Sequence, residues 1–196
     1  MLLFMATATP DDIGDPKVLR ALAHPLRWRL IDVLSIDGAV TATRCSQQLG
    51  ESVASCSYHL NILAKYGFVE EAPGGQGREK PWRLSRLRHS WSDDGHDLAH
   101  SMAAGRAIEA FLEVEFARLR MWQRRIGTEP EPWRHATGIT GVTTFVTAAE
   151  LRELSERLEG VARTFADRLD SRSTAPSGAR PVRIFVATSV AEQPAE

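Results

Sequence analysis

A chain of 196 residues, 43% hydrophobic and 25% charged with a formal net charge of −1, has ordinary soluble composition and room for one ample core or a small domain with an extension. Nothing in it is membrane-like, because Met1-Leu-Leu-Phe-Met5 is too short to span a bilayer and lacks the charged start of a secretion signal, so a cytoplasmic location is expected. The near-neutral total hides an asymmetry: residues 1–90 carry 11 Lys and Arg against 9 Asp and Glu, and residues 91–196 carry 13 against 16.

Residues 1–12 have no hydrophobic period and read as a flexible arm. Asp15-Pro16 is an N-cap followed by a first helical residue and opens a helix through Ala23. His24-Pro25 ends it and starts the next, since proline fits a first turn and disfavours helical geometry in the residue before it. His24 is therefore read as a cap rather than a metal ligand, there being no second ligand beside it in sequence. Leu26, Leu30, Val33 and Leu34 form the stripe of this second helix, Trp28 adds bulk, and Asp37-Gly38 closes it. Thr41 caps a short third helix with Ala42, Cys45 and Leu49 on its apolar side, and Gly50-Glu51 makes a turn.

Ser52 then caps a fourth helix that Gly67 stops. Cys56, Leu60 and Leu63 fall on one face, while Ser55, Ser57, Tyr58 and Asn61 lie off it. Two short helices joined by a tight Gly-containing turn are the sequence form of a helix-turn-helix. Small residues near the start of the second helix, Ala54, Ser55 and Ser57, permit close approach to base edges in a major groove. Downstream, Phe68–Ala72 and Arg78–Ser85 read as two strands around the turn Pro73–Gly77, a hairpin wing. Arg78, Lys80, Arg83, Arg86 and Arg88 fall within eleven residues opposed only by Glu79, where DNA phosphates would pass.

Ala21-Leu-Ala-His-Pro-Leu-Arg-Trp-Arg-Leu-Ile-Asp-Val-Leu34 resembles the first core helix of ArsR-like winged-helix repressors, and Ser57-Tyr-His-Leu-Asn-Ile-Leu-Ala-Lys-Tyr-Gly-Phe-Val69 resembles their recognition helix running into the wing. The likeness runs from Pro16 to Leu84. It implies a sequence-specific regulator of transcription that binds double-stranded DNA as a homodimer, most simply a repressor. The DNA contacts expected are Ser52, Ala54, Ser55, Ser57, Tyr58 and Asn61 on the helix and Arg78 and Lys80 on the wing.

After the wing, Ser92 or Asp93 caps a helix that no proline interrupts before Ile126. Leu98, Gly105, Leu112, Leu119 and Ile126 recur every seven residues, flanked by Met102, Ile108, Phe116 and Trp122. Such a stripe suits a dimer seam, with Leu98, Met102, Gly105, Leu112, Phe116 and Leu119 as its contacts; packing on the chain's own C-terminal segment is the alternative. Glu129–His135 is a proline-rich break. Val142–Thr147 alternates like a strand, Thr147–Glu150 is a capping box for a helix to about Leu169, and Pro181–Ala187 reads as a last strand. The fold class expected is thus mainly α with small β: an arm (1–12), a winged helix-turn-helix (13–90), a long dimerisation helix (91–127) and a C-terminal β-α-β segment (128–196) of unassigned role.

Competing chemistries find less support. His96 and His100 lie one turn apart near Asp93, but the zinc-sensing pattern that the resemblance implies adds a second His–acid pair, and here only Glu109 follows. Cys45 and Cys56 sit on apolar faces as small hydrophobes, and thiolate sensors of this kind pair cysteines where Cys45 stands alone. No nucleophile elbow, phosphate loop or His-Glu-x-x-His motif occurs, so an enzyme is not expected and no cofactor is required. A small-molecule effector is compatible with this reading, and the residues do not identify one. A winged helix that binds only protein is the remaining rival, and steep salt dependence of duplex binding separates the two.

Overall fold

The caps read at His24, Thr41 and Ser52 form, while those read at Asp15 and at Ser92 or Asp93 lie outside the described residues. In the computed structural model, which describes residues 10–12, 16–75, 79–85, 88–90, 98–166, 168 and 175–191, the His24 imidazole accepts the Leu26 N–H at 3.1 Å and starts the helix after it. Thr41 Oγ1 accepts the Arg44 N–H at 3.2 Å, and Ser52 Oγ accepts the Ser55 N–H at 3.1 Å. Each supplies an acceptor to a first turn whose amides have none of their own.

The chain divides into two compact units, Met1–Gln123 and Arg124–Glu196. In the first, α1 (Pro16–Arg20) leads into α2 (Pro25–Asp37), β2 (Val40–Thr41), α3 (Ala42–Leu49), α4 (Val53–Lys65), and strands β3 (Val69–Glu71) and β4 (Pro81–Leu84). A further strand pair, β1 (Pro10–Asp12) with β5 (Arg88–Ser90), is parallel. The sheet order is β2-β4-β3, antiparallel throughout, with Val40 opposite Trp82 and Glu70 opposite Arg83. Leu19, Leu22, Leu30, Ile31, Leu60 and Leu63 are fully buried between the helices, each contributing about 2 kcal/mol by leaving water. Trp82 carries the wing into this core.

The helix α5 (Leu98–Arg125) has 28 residues and two apolar faces. Ala103, Ala107, Ala110, Phe111 and Val114 are buried; the Phe111 ring meets Trp28 of α2 edge-on at 5.0 Å, and Arg118 pairs with Asp32 of α2. At about 100° per residue, Leu98, Gly105, Leu112 and Leu119 stand about half a turn away from those alanines. That second face is open: Leu98, Met102 and Phe116 are exposed, Leu112 and Leu119 half-buried, and a Cβ placed on Gly105 would meet nothing. No helix among the described residues is long and apolar enough to cross a membrane.

The second unit corrects the expected fold class. A 3-10 turn, Ile126–Thr128, precedes α6 (Glu131–Ala136), a short helix within the stretch read as a break. The capping box forms, Thr147 Oγ1 accepting the Glu150 N–H and Glu150 accepting the Thr147 N–H, and α7 (Ala148–Ala162) follows. There is no C-terminal β-α-β segment: neither Val142–Thr147 nor Pro181–Ala187 is a strand. Alternation supplies one apolar face, but a strand exists only when a neighbour takes its N–H and C=O groups, and neither stretch enters a sheet. Phe145 is 99% exposed instead of facing a core. Arg180 bonds Glu129 at 2.9 Å and lies over the Trp133 ring at 4.9 Å.

Candidate nucleic-acid interface

A reading helix must be rigid from behind and bare in front. Behind α4, Cys56, Leu60 and Leu63 have no exposed surface. The turn between α3 and α4 is fixed by three devices. Gly50 takes the left-handed conformation at φ 69°, its N–H bonded to Ser46 O. Ser46 Oγ donates to Glu51 O at 2.6 Å. Arg29 reaches from α2 to bond Leu49 O at 2.6 Å and Glu51 Oε1 at 2.9 Å.

A second clasp joins α1, α2 and α4. Arg27 Nη1 donates to Arg20 O and Ala21 O at 3.0 and 2.8 Å, and its Nε donates to His59 Nδ1 at 3.2 Å. Burial lowers the Arg27 pKa from its ordinary value, against the opposing influence of Tyr58 and Tyr66. His24, which has no second ligand beside it in sequence, proves to face His59 with ring centroids 4.3 Å apart. Both Nδ1 lone pairs are engaged, one by Leu26 N–H and the other by Arg27, so the imidazoles act as a cap and a spacer.

Burial first, then the His24 ring and the Arg27 guanidinium, push His59 below the ordinary imidazole pKa, with Glu51 opposing. The unfolded chain takes up this proton near pH 6.5 while the folded chain resists it, so below about pH 6.5 the unfolded state holds more protons and stability falls as pH falls. Urea unfolding should therefore show a smaller loss between pH 7 and pH 5 for His59→Phe than for the parent chain; equal losses would exonerate His59.

In front, Ser52, Val53, Ala54, Tyr58 and Asn61 are exposed, and Ser55 and Ser57 half-buried. The Asn61 amide turns back to Ser57 O at 2.8 Å, and the Tyr58 ring, 63% exposed, stands edge-on to His59. Thr43, Ser57, Asn61, Glu79, Lys80 and Trp82 line a cleft of about 330 Å³ between the helices and the wing. Val53 and Thr43 escaped the sequence reading, the first because it is apolar and the second because it belongs to α3.

The wing is less basic than its run of cations suggests. Lys80 pairs with Glu71 at 2.6 Å and Arg83 with Glu70 at 2.8 Å, across the β3–β4 ladder. Its turn requires glycine, since Gly75 has φ 114° and a Cβ there would overlap the Glu79 carbonyl oxygen. Arg78, expected to contact phosphate, lies outside the described residues, as does His96. His100 is 2% exposed, and among the described residues no cluster of three or more His, Cys, Asp or Glu is placed to hold a metal. Burial raises the thiol pKa of Cys56, and burial together with Cys56 and Asp37 raises that of Cys45 to about 11.

A helix-turn-helix whose reading helix is backed by core and flanked by a hairpin defines a winged helix-turn-helix regulatory domain. Residues 22–72, from just after α1 through β3, match the family described as a helix-turn-helix domain, a DNA-binding regulatory module and not a catalytic fold. No curated protein matches the chain.

Proposed function

We propose that this protein is an ArsR-like, homodimeric repressor of transcription in the cytoplasm that reads double-stranded DNA with α4 and braces it with the wing. The observation that carries the reading is the two-sidedness of α4: Cys56, Leu60 and Leu63 fully buried, and Ser52, Ala54, Ser55, Ser57, Tyr58 and Asn61 on the outer side. Short side chains there let the helix backbone approach base edges, while Lys80 and Arg78 meet phosphates. Residues 13–90 are the DNA-binding part, 91–127 the dimerisation helix, and 128–196 a C-terminal segment. Fully buried thiols held protonated speak against a thiol-responsive sensor of the same fold. Passing the purified protein over random duplexes and sequencing what it retains tests the reading; retention of no duplex, or of duplexes without a shared sequence, overturns it.

Dimerisation is supported by the open second face of α5, with Leu98, Met102, Gly105, Leu112, Phe116 and Leu119 as contacts. Two-fold symmetry would set two α4 helices about 34 Å apart on successive turns of DNA. Leu112→Asp would place an unpaired charge in that seam at a cost of about 3 kcal/mol or more. The variant should scatter light as a monomer with native helical circular dichroism, and lose affinity for a palindromic duplex because each monomer holds a half-site. A variant that stays dimeric would move the contact elsewhere.

A further inference from the structure

The cleft between α4 and the wing holds a carboxylate where the reading above needs cations. Glu79 Oε1 accepts a bond from Thr43 Oγ1 of α3 at 2.9 Å, which fixes an exposed acid of the wing in the cleft that Ser57, Asn61 and Lys80 also line. Of the neighbouring cations among the described residues, Lys80 pairs with Glu71 and Arg83 with Glu70. A duplex seated against α4 brings phosphates toward this cleft, and a fixed carboxylate repels them whatever the base sequence.

We propose that Glu79 is an electrostatic brake on duplex binding, a residue that lowers affinity for DNA of every sequence and so leaves base contacts from α4 to decide where the protein stays. The proposal rests on the DNA-reading function above. Thr43 is the element that makes it a brake: an unfastened glutamate would swing into solvent as DNA approached, whereas a hydroxyl on α3 holds this one in the cleft.

The test is fluorescence anisotropy of the full chain, parent and Glu79→Gln, on a labelled 20-base-pair duplex of random sequence and on a duplex recovered by the selection experiment. Glutamine keeps the size of the side chain and can still accept from Thr43, so the fold is not at stake. Glu79→Gln should bind both duplexes about fivefold more tightly at low salt, an advantage that shrinks as salt screens the charge. Its plot of log affinity against log salt should steepen by about one unit, as if one more phosphate were engaged. Unchanged affinity on both duplexes makes Glu79 a bystander and overturns the proposal. Weaker binding confined to the selected duplex also overturns it, because Glu79 would then be accepting a bond from a base rather than repelling the backbone. If the parent chain binds neither duplex at any salt, the DNA reading itself has failed and the brake with it, a result distinct from both.

Discussion

Ser57→Glu is expected to cost at least about 100-fold in duplex affinity, because it sets a carboxylate among the phosphates at the centre of the cleft, and like charges forced together in an interface cost several kcal/mol. Ser57 is half-buried against the cleft and not packed in the core, and its backbone oxygen, which accepts from Asn61, is unaffected by the change. Thermal unfolding should therefore hardly move. Gel-shift titration of parent and variant on a selected duplex measures the effect; retained binding would take Ser57 out of the interface and leave Tyr58 and the helix start to be tested in its place.

The largest expected loss of stability comes from a residue that is neither apolar nor close to the cleft. Arg118 Nη1 bonds both carboxylate oxygens of Glu115 at 2.9 Å, and its Nη2 bonds Asp32 of α2. Glu115 is 2% exposed, so Arg118→Ala would leave a carboxylate in the interior without its guanidinium. Breaking a buried pair from one side costs about 3–5 kcal/mol, and the lower end applies because Arg118 is itself 32% exposed. Urea denaturation should show a lower midpoint with an unchanged slope. The double variant Arg118→Ala with Glu115→Gln should regain part of the loss, since the more deeply buried of the two carboxylates is then uncharged. A midpoint within experimental error of the parent would mean that the other groups around Glu115 suffice.

What the sequence made legible in this fold is what a few adjacent residues determine. His24-Pro25, Thr41, Ser52 and the Thr147–Glu150 box cap the helices expected of them because a cap is a contact between residues two or three apart. The buried face of α4 was legible for the same reason, as a repeat within one helix. Pairings between distant segments were hidden from that reading. Glu70 and Glu71 precede the basic run in the chain, yet the hairpin brings them opposite Arg83 and beside Lys80. The two-residue strand β2 exists only because β4 offers it Pro81 and Trp82. The alanine face of α5 was masked by a stronger heptad of larger residues on the other side. In the C-terminal unit, alternation at Val142–Thr147 and Pro181–Ala187 stated half of what a strand needs and could not state the other half, a neighbour.

The edge contact of Trp28 with Phe111 and the Arg118–Asp32 pair seat α5 on α2. With about 1.5 Å of rise per residue, α5 extends about 20 Å from Phe111 back to Leu98 and about 12 Å forward to Leu119. A change in how α5 seats at Trp28 would therefore be magnified at both ends of the proposed seam, while α2, bonded to the α3–α4 turn through Arg29, would carry α4 with it. In the proposed dimer, the separation of the two half-sites would follow from how α5 seats on α2. Repacking at that contact would then shift the half-site spacing with every residue proposed to touch DNA unchanged.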